Sequence, residues 1–162
     1  MADCDQSADP QKPNPQSAVK AWRIFGTYLD KAGLRVTKPR RIVCEHAFRR
    51  SDHFTAEMLA AELGAAGPER VSRGTVYHTL ALLVRAGLLR EIRVKGREVH
   101  YDRTLGFEDH EHLVCEQCGC FSGFLDPVIH RRIEAACRKA GFTQRAHRLT
   151  VLGICRKCRE EG

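Results

Sequence analysis

Apolar positions recur at helical spacing from Val19: Val19, Trp22, Ile24, Phe25 and Leu29 predict a first helix closing near Gly33. Pro39 suits the first turn of a second helix, whose apolar side is Ile42, Val43, Ala47 and Phe48. Thr55 precedes a third, with Met58, Leu59 and Leu63 at helical spacing and a stop at Gly64. Ser72 is a good N-cap for a fourth. On it Val76, Leu80, Leu83 and Val84 share one face, while Gly74, His78, Ala81 and Arg85 lie opposite. Gly87 ends it. The residues then turn β-leaning: Leu88 to Val94 and Arg97 to Asp102 flank Lys95-Gly96, the pattern of a hairpin.

Short helices followed by a β-hairpin is the plan of a winged helix-turn-helix. The fourth helix would enter the major groove and the hairpin would lie along the backbone. After Thr104 the composition shifts. Leu113-Val114 and Phe121 to Leu125 read as strands. Asp126-Pro127 is a cap followed by proline, and Ile129, Ile133, Ala136 and Ala140 run at helical spacing to Gly141. Phe142 to Ile154 has β character, which puts His147 in a last strand. The fold class predicted is α+β. A disordered tail over 1–17, polar and holding three prolines, precedes a winged-helix domain over 18–103 and a small α/β unit over 104–162. The last unit can bury little core alone, so metal and dimerisation are expected to stabilise it.

The chain has 162 residues and a formal net charge of +7, which favours a polyanionic partner, nucleic acid first. Eight cysteines without a signal peptide point to a reducing, cytoplasmic compartment, where thiols ligate metal. No apolar run approaches the roughly 18–20 residues that span a bilayer.

Four of the cysteines form two knuckles, Cys115-Glu-Gln-Cys118 and Cys155-Arg-Lys-Cys158. Two C-x-x-C loops supply the four thiolates of a closed structural Zn²⁺ site; redox pairs are the rival reading. Before the first knuckle lies Asp109-His110-Glu111-His112. In a strand His110 and His112 face one way, Asp109 and Glu111 the other, so one strand could serve two metal sites. A solvated polar stretch is the plain alternative. His53 and His147 are further candidate ligands. Mixed imidazole and carboxylate donors suit Fe²⁺, Mn²⁺, Zn²⁺ or Ni²⁺ without choosing among them.

On the fourth helix Arg73, Thr75, Tyr77 and His78 are candidate DNA contacts, with Arg35 and Lys38 placed for phosphate or the minor groove. A solvated helix face is the rival reading. A zinc hydrolase using His110 and His112 with Glu111 as base would need an open coordination position. No H-E-x-x-H helix or other catalytic signature is present, so an enzyme and a small-molecule substrate are not expected.

Gly33-Leu34-Arg35-Val36-Thr37-Lys38-Pro39-Arg40, His53-x-Thr-Ala-Glu57, Gly74-Thr75-Val76-Tyr77, His110-Glu111-His112-Leu113-x-Cys115-x-x-Cys118-Gly119 and Gly153-x-Cys155-x-x-Cys158 follow in order. Together they resemble the ferric uptake regulator family from about Val19 to Cys158. The resemblance implies a homodimeric, metal-dependent repressor of double-stranded operator DNA, controlling metal uptake or oxidative-stress genes. It implies a C-terminal dimerisation domain and a regulatory metal at the hinge that locks the DNA-binding arrangement. Structural zinc would sit on Cys115, Cys118, Cys155 and Cys158. The regulatory ion, Fe²⁺, Mn²⁺ or Zn²⁺, would sit on His53, Asp102, His110 and His112. A second site would use Asp109, Glu111, His130 and His147. Two departures stand out. Gly123 occupies the position of the family's last hinge carboxylate, and His78 replaces an arginine after Val-Tyr. Asp102 resembles the peroxide-sensing branch; a zinc- or nickel-sensing member is a further alternative.

Overall fold

The computed structural model describes residues 15–50, 53–93, 98–105 and 111–161. The described residues up to 105 form one compact unit and those from 111 onward another.

The first unit opens with helix α1, Pro15–Lys31. It starts four residues before the apolar rhythm and inside the stretch expected as tail. Ser17 and Ala18 are buried, so packing extends the helix, and proline fits its first position. Its end is a left-handed glycine: Gly33 has φ of 66°, and the Leu34 N–H donates to the Leu29 carbonyl at 2.8 Å. Helix α2, Lys38–Arg49, is capped by Thr37, whose hydroxyl accepts from the Arg40 N–H, with Pro39 in the first turn. Strand β1 is only Phe54–Thr55, and Thr55 also caps helix α3, Ala56–Gly64. Helix α4, Arg73–Arg85, is capped by Ser72. It buries Val76, Thr79, Leu80, Leu82 and Leu83 and leaves Gly74, His78, Ala81 and Arg85 exposed. Met58, read as part of the apolar side of α3, is 40% exposed.

Strands β2, Leu89–Ile92, and β3, His100–Arg103, pair antiparallel with Arg90 opposite Asp102. The expected Lys95-Gly96 turn lies outside the described residues. The unforeseen β1 completes the sheet in the order β1-β3-β2, with Phe54 opposite Tyr101. Phe25, Leu29, Val43, Phe48, Phe54, Leu59, Val76, Leu80 and Leu83 are fully buried in one core. Each such side chain contributes about 1.5–3 kcal/mol of burial, which gives this unit a firm platform for α4.

In the second unit β4, Glu111–Cys115, pairs antiparallel with β5, Phe121–Phe124. Helix α5, Pro127–Lys139, follows, capped by Asp126 Oδ1 at 2.7 Å from the Val128 N–H. Strand β6, Thr150–Gly153, runs parallel to β4, and the sheet order is β5-β4-β6. Helix α6, Arg156–Glu161, was not foreseen. Phe142 to Ile154 was expected as one strand, but only its end is. Among the described residues, 142–149 form no strand, and the His112 N–H donates to the Leu149 carbonyl at 3.1 Å. His147 therefore precedes the strand rather than sitting in it. Among the described residues the core is thin: Val114, Cys115, Phe121 and Cys158 are its buried apolar residues, and α5 buries none. Among the described residues no helix is long and apolar enough to cross a membrane.

Candidate metal centres and DNA-reading helix

Both knuckles lie at the end of a strand. Cys115 closes β4 and Cys118 sits in the turn beyond it; Cys155 precedes α6 and Cys158 lies inside it. The four Sγ atoms lie within 4.8 Å of one another. Cys118 Sγ and Cys155 Sγ are 3.8 Å apart and carry no disulfide. A tetrahedron with Zn–S bonds of about 2.3 Å has edges of about 3.8 Å, so the residues fit the ion. Both pairs converge on one point, which argues against two separate redox pairs. Burial pushes the Cys115 thiol up, but backbone N–H groups of Cys118, Cys155 and Gln117 bring it down to about 6. Burial and the neighbouring sulfurs push Cys158 up to about 12, and burial raises Cys118.

A second cluster joins Glu111 of β4, His130 of α5 and His147 of the irregular segment. Glu111 is fully buried. His130 Nε2 and His147 Nε2 lie 2.8 Å and 3.3 Å from its Oε1. The His130 nitrogen is close yet not aligned for a hydrogen bond, and Glu111 Oε2 has no hydrogen-bond partner. Two imidazoles at 85° to one another around a buried carboxylate make a donor set suited to a borderline divalent ion. Burial pushes Glu111 up, but the His147 bond and the His130 charge hold it below the usual carboxylate range. Gln144 Nε2 lies 3.2 Å from His147 Nδ1, and its Oε1 is unpartnered. A half-turn of that amide would accept the Nδ1 proton and leave Nε2 free to ligate. Asp109, the expected fourth member, lies outside the described residues.

The residues expected at the regulatory site are seen unit by unit. In the first unit His53, just before β1, and Asp102, in β3, approach to 3.4 Å between Nε2 and Oδ1. Both side chains are buried. Asp102 Oδ2 accepts from Arg90 Nε and Nη2, each at 2.6 Å. Sequence reasoning missed Arg90, although opposite charges facing each other across a hairpin were a usable signal. In the second unit His112 is buried, its ring 4.9 Å from that of Phe121. Gly123 pairs directly opposite His112 on β5, so no side chain stands beside the imidazole there. His110 lies outside the described residues.

On α4, Arg73, Tyr77 and His78 are exposed and Thr75 is half-buried. The Thr75 hydroxyl lies 2.9 Å from that of Ser72, within the cap. Arg73 and Tyr77 both reach Glu57 of α3, a link the sequence did not signal. Arg35 and Lys38 are exposed before and at the start of α2, and Lys38 Nζ lies 3.6 Å from Glu69.

The ferric uptake regulator family model matches residues 31–152. The ferric uptake regulation protein of Legionella pneumophila is 35% identical over 131 residues, covering 80% of this chain and 95% of the relative. The peroxide-responsive repressor of Staphylococcus epidermidis is 28% identical over 134 residues, covering 83% and 87%. The structure of the Pseudomonas aeruginosa ferric uptake regulator with manganese superposes with a TM-score of 0.69 at 29% identity, covering 81% of this chain and 97% of that one. With that match over most of its length, the chain belongs to the ferric uptake regulator family.

Proposed function

We propose that this metal-responsive transcriptional regulator acts as a cytoplasmic homodimeric repressor. It reads double-stranded operator DNA with α4 through Arg73, Thr75, Tyr77 and His78, while Arg35 and Lys38 contact the backbone. Structural Zn²⁺ is held by Cys115, Cys118, Cys155 and Cys158. A regulatory divalent ion is held by His53, Asp102, His110 and His112, and a further ion by Glu111, His130 and His147 with Asp109.

The observation that carries the reading is the buried approach of His53 to Asp102 at 3.4 Å. A carboxylate and an imidazole buried together in the DNA-binding unit can respond to a cation without any substrate pocket. A bound ion would be held by these residues together with His110 and His112, to which it would supply coordinate bonds. Its differential affinity for the DNA-competent arrangement then shifts the population toward it. Gly123 removes one carboxylate from the donor set, so the ion is bound by fewer protein ligands than the family pattern implies. Asp102 favours a second reading, a peroxide sensor, because it supplies the aspartate that this branch uses.

Dimerisation is supported by the bare apolar surface of the second unit. Val128, Phe142, Leu152 and Ile154 are each at least half exposed, and among the described residues β6 lies at the edge of its sheet. A sheet edge and an apolar face left open in so small a unit are suited to a second copy. Anaerobic titration with Fe²⁺, Mn²⁺ and Zn²⁺, reading affinity for operator-type DNA, tests the proposal. Oxidation of a ligand histidine by peroxide in the Fe²⁺ form would single out the peroxide reading.

A further inference from the structure

On the exposed side of the first unit, one carboxylate grips two residues of the reading helix. Glu57, in the first turn of α3, accepts the Tyr77 hydroxyl proton at Oε2 over 2.9 Å. The same oxygen lies 2.7 Å from Arg73 Nη2. The Arg73 guanidinium also lies over the Tyr77 ring, 5.5 Å from its centroid. All three are solvent-accessible, with Arg73 68% and Glu57 45% exposed at the side chain. An exposed ion pair of this kind adds little to stability. What it changes is the set of groups that α4 offers to DNA.

A carboxylate only accepts, so Tyr77 must be the donor in its bond to Glu57. Its single proton is used there, and only oxygen lone pairs face outward. Phosphate oxygens, guanine O6 and N7 and thymine O4 also only accept, and would meet Tyr77 unpaired. Adenine N6 and cytosine N4 carry the amino protons that it can accept. Arg73 meanwhile has its charge balanced by Glu57, which weakens its pull on any phosphate it passes.

We propose that Glu57 is a specificity-determining residue of the reading face: by balancing Arg73 and accepting the Tyr77 hydroxyl's hydrogen bond, it turns that face from phosphate toward base-edge amino groups. This rests on α4 being the DNA-reading helix, as proposed above.

The test compares the metal-loaded dimer with its Glu57→Gln and Glu57→Ala variants. Binding is measured by fluorescence anisotropy over a range of salt, on a duplex selected from a random pool by the unaltered protein and on a random duplex. Releasing Arg73 should let it neutralise one more phosphate, steepening the random-duplex salt slope by about 0.9 in both variants. The preference for the selected duplex should fall by up to about fivefold, the range open to an exposed ion pair. Selection repeated with Glu57→Ala should relax the adenine or cytosine requirement at one position, toward bases that accept. Glu57→Gln, whose amide carbonyl still accepts the Tyr77 proton, should retain it. Loss of a helix-dipole contact in α3 would lower the melting temperature but move neither readout. Unaltered slopes and unaltered preference in both variants would overturn this inference alone. Failure of the unaltered dimer to bind any duplex with any of the metals would overturn the DNA-binding reading as well.

Discussion

Arg90 grips Asp102 Oδ2 with two nitrogens: Nε and Nη2 both lie 2.6 Å from Oδ2, and Asp102 Oδ1 lies 3.4 Å from His53 Nε2. The cross-strand pair thus fixes the carboxylate beside the imidazole. It also balances a carboxylate whose side chain is only 1% exposed. Arg90→Ala should weaken binding of the regulatory ion by about 10–100-fold, as loss of an orienting partner does at other metal sites. It should also destabilise the first unit by up to about 3–5 kcal/mol, the cost of leaving a buried charge unpaired. Metal titration and thermal melting check the two effects separately. Arg90→Lys cannot supply the same two-nitrogen grip and should restore stability better than metal affinity.

The cysteine cluster predicts a pH dependence whose sign follows from its thiols. Cys158, pushed up to about 12, and Cys118, also raised, carry protons at neutral pH; Cys115, brought down to about 6, is already a thiolate. Zinc needs thiolates, so loading must release protons and affinity must rise with pH. Below pH about 6, where Cys115 also takes up a proton, affinity should fall more steeply. Chelator competition at a series of pH values, with proton release read in weak buffer, measures both.

Removing zinc should unmake the second unit, whose apolar core is too thin to stand alone. Cys118→Ser should lose zinc by elemental analysis and should not sediment as a dimer. A stable zinc-free dimer would refute the structural role of these four residues.

At the second cluster, His147→Ala should remove one bound ion per chain while leaving zinc in place. Glu111 is fully buried, and an ion there balances its charge beside two histidines. Added Mn²⁺ or Zn²⁺ should therefore raise the melting temperature of the unaltered protein, and His147→Ala should shrink that rise. An equal rise in both would remove His147 from the site.

Leu152→Asp places a charge on the edge strand at a position that is 50% exposed in the chain. If β6 and its surroundings bury against a second copy, the variant should be monomeric by sedimentation. It should also lose DNA affinity, because two half-sites are then no longer held together.

Much of this architecture was legible because strong local chemistry wrote it. Thr55, Ser72 and Asp126 cap the helices they precede, and the buried face of α4 follows its apolar spacing. The cysteine knuckles met as their spacing implied. Elements that depend on distant partners were not legible. Phe54–Thr55 is a strand only because β3 lies beside it, and two residues carry no period. Residues 142–149 have β character but form no strand among the described residues, so His147 reaches Glu111 from irregular chain. The Arg90 pair with Asp102 needed the hairpin register, and the Glu57 link needed the packing of α3 on α4. None of these lies within one window of sequence.

The most direct measurement is the affinity of the zinc-loaded protein for operator-type DNA, taken anaerobically with and without Fe²⁺, Mn²⁺ or Zn²⁺, beside Asp102→Ala. The account predicts that at least one ion tightens binding tenfold or more, about 1.4 kcal/mol of coupling, and that Asp102→Ala abolishes the response while still binding zinc. Equal affinity with and without every ion, or a full response in Asp102→Ala, would contradict it.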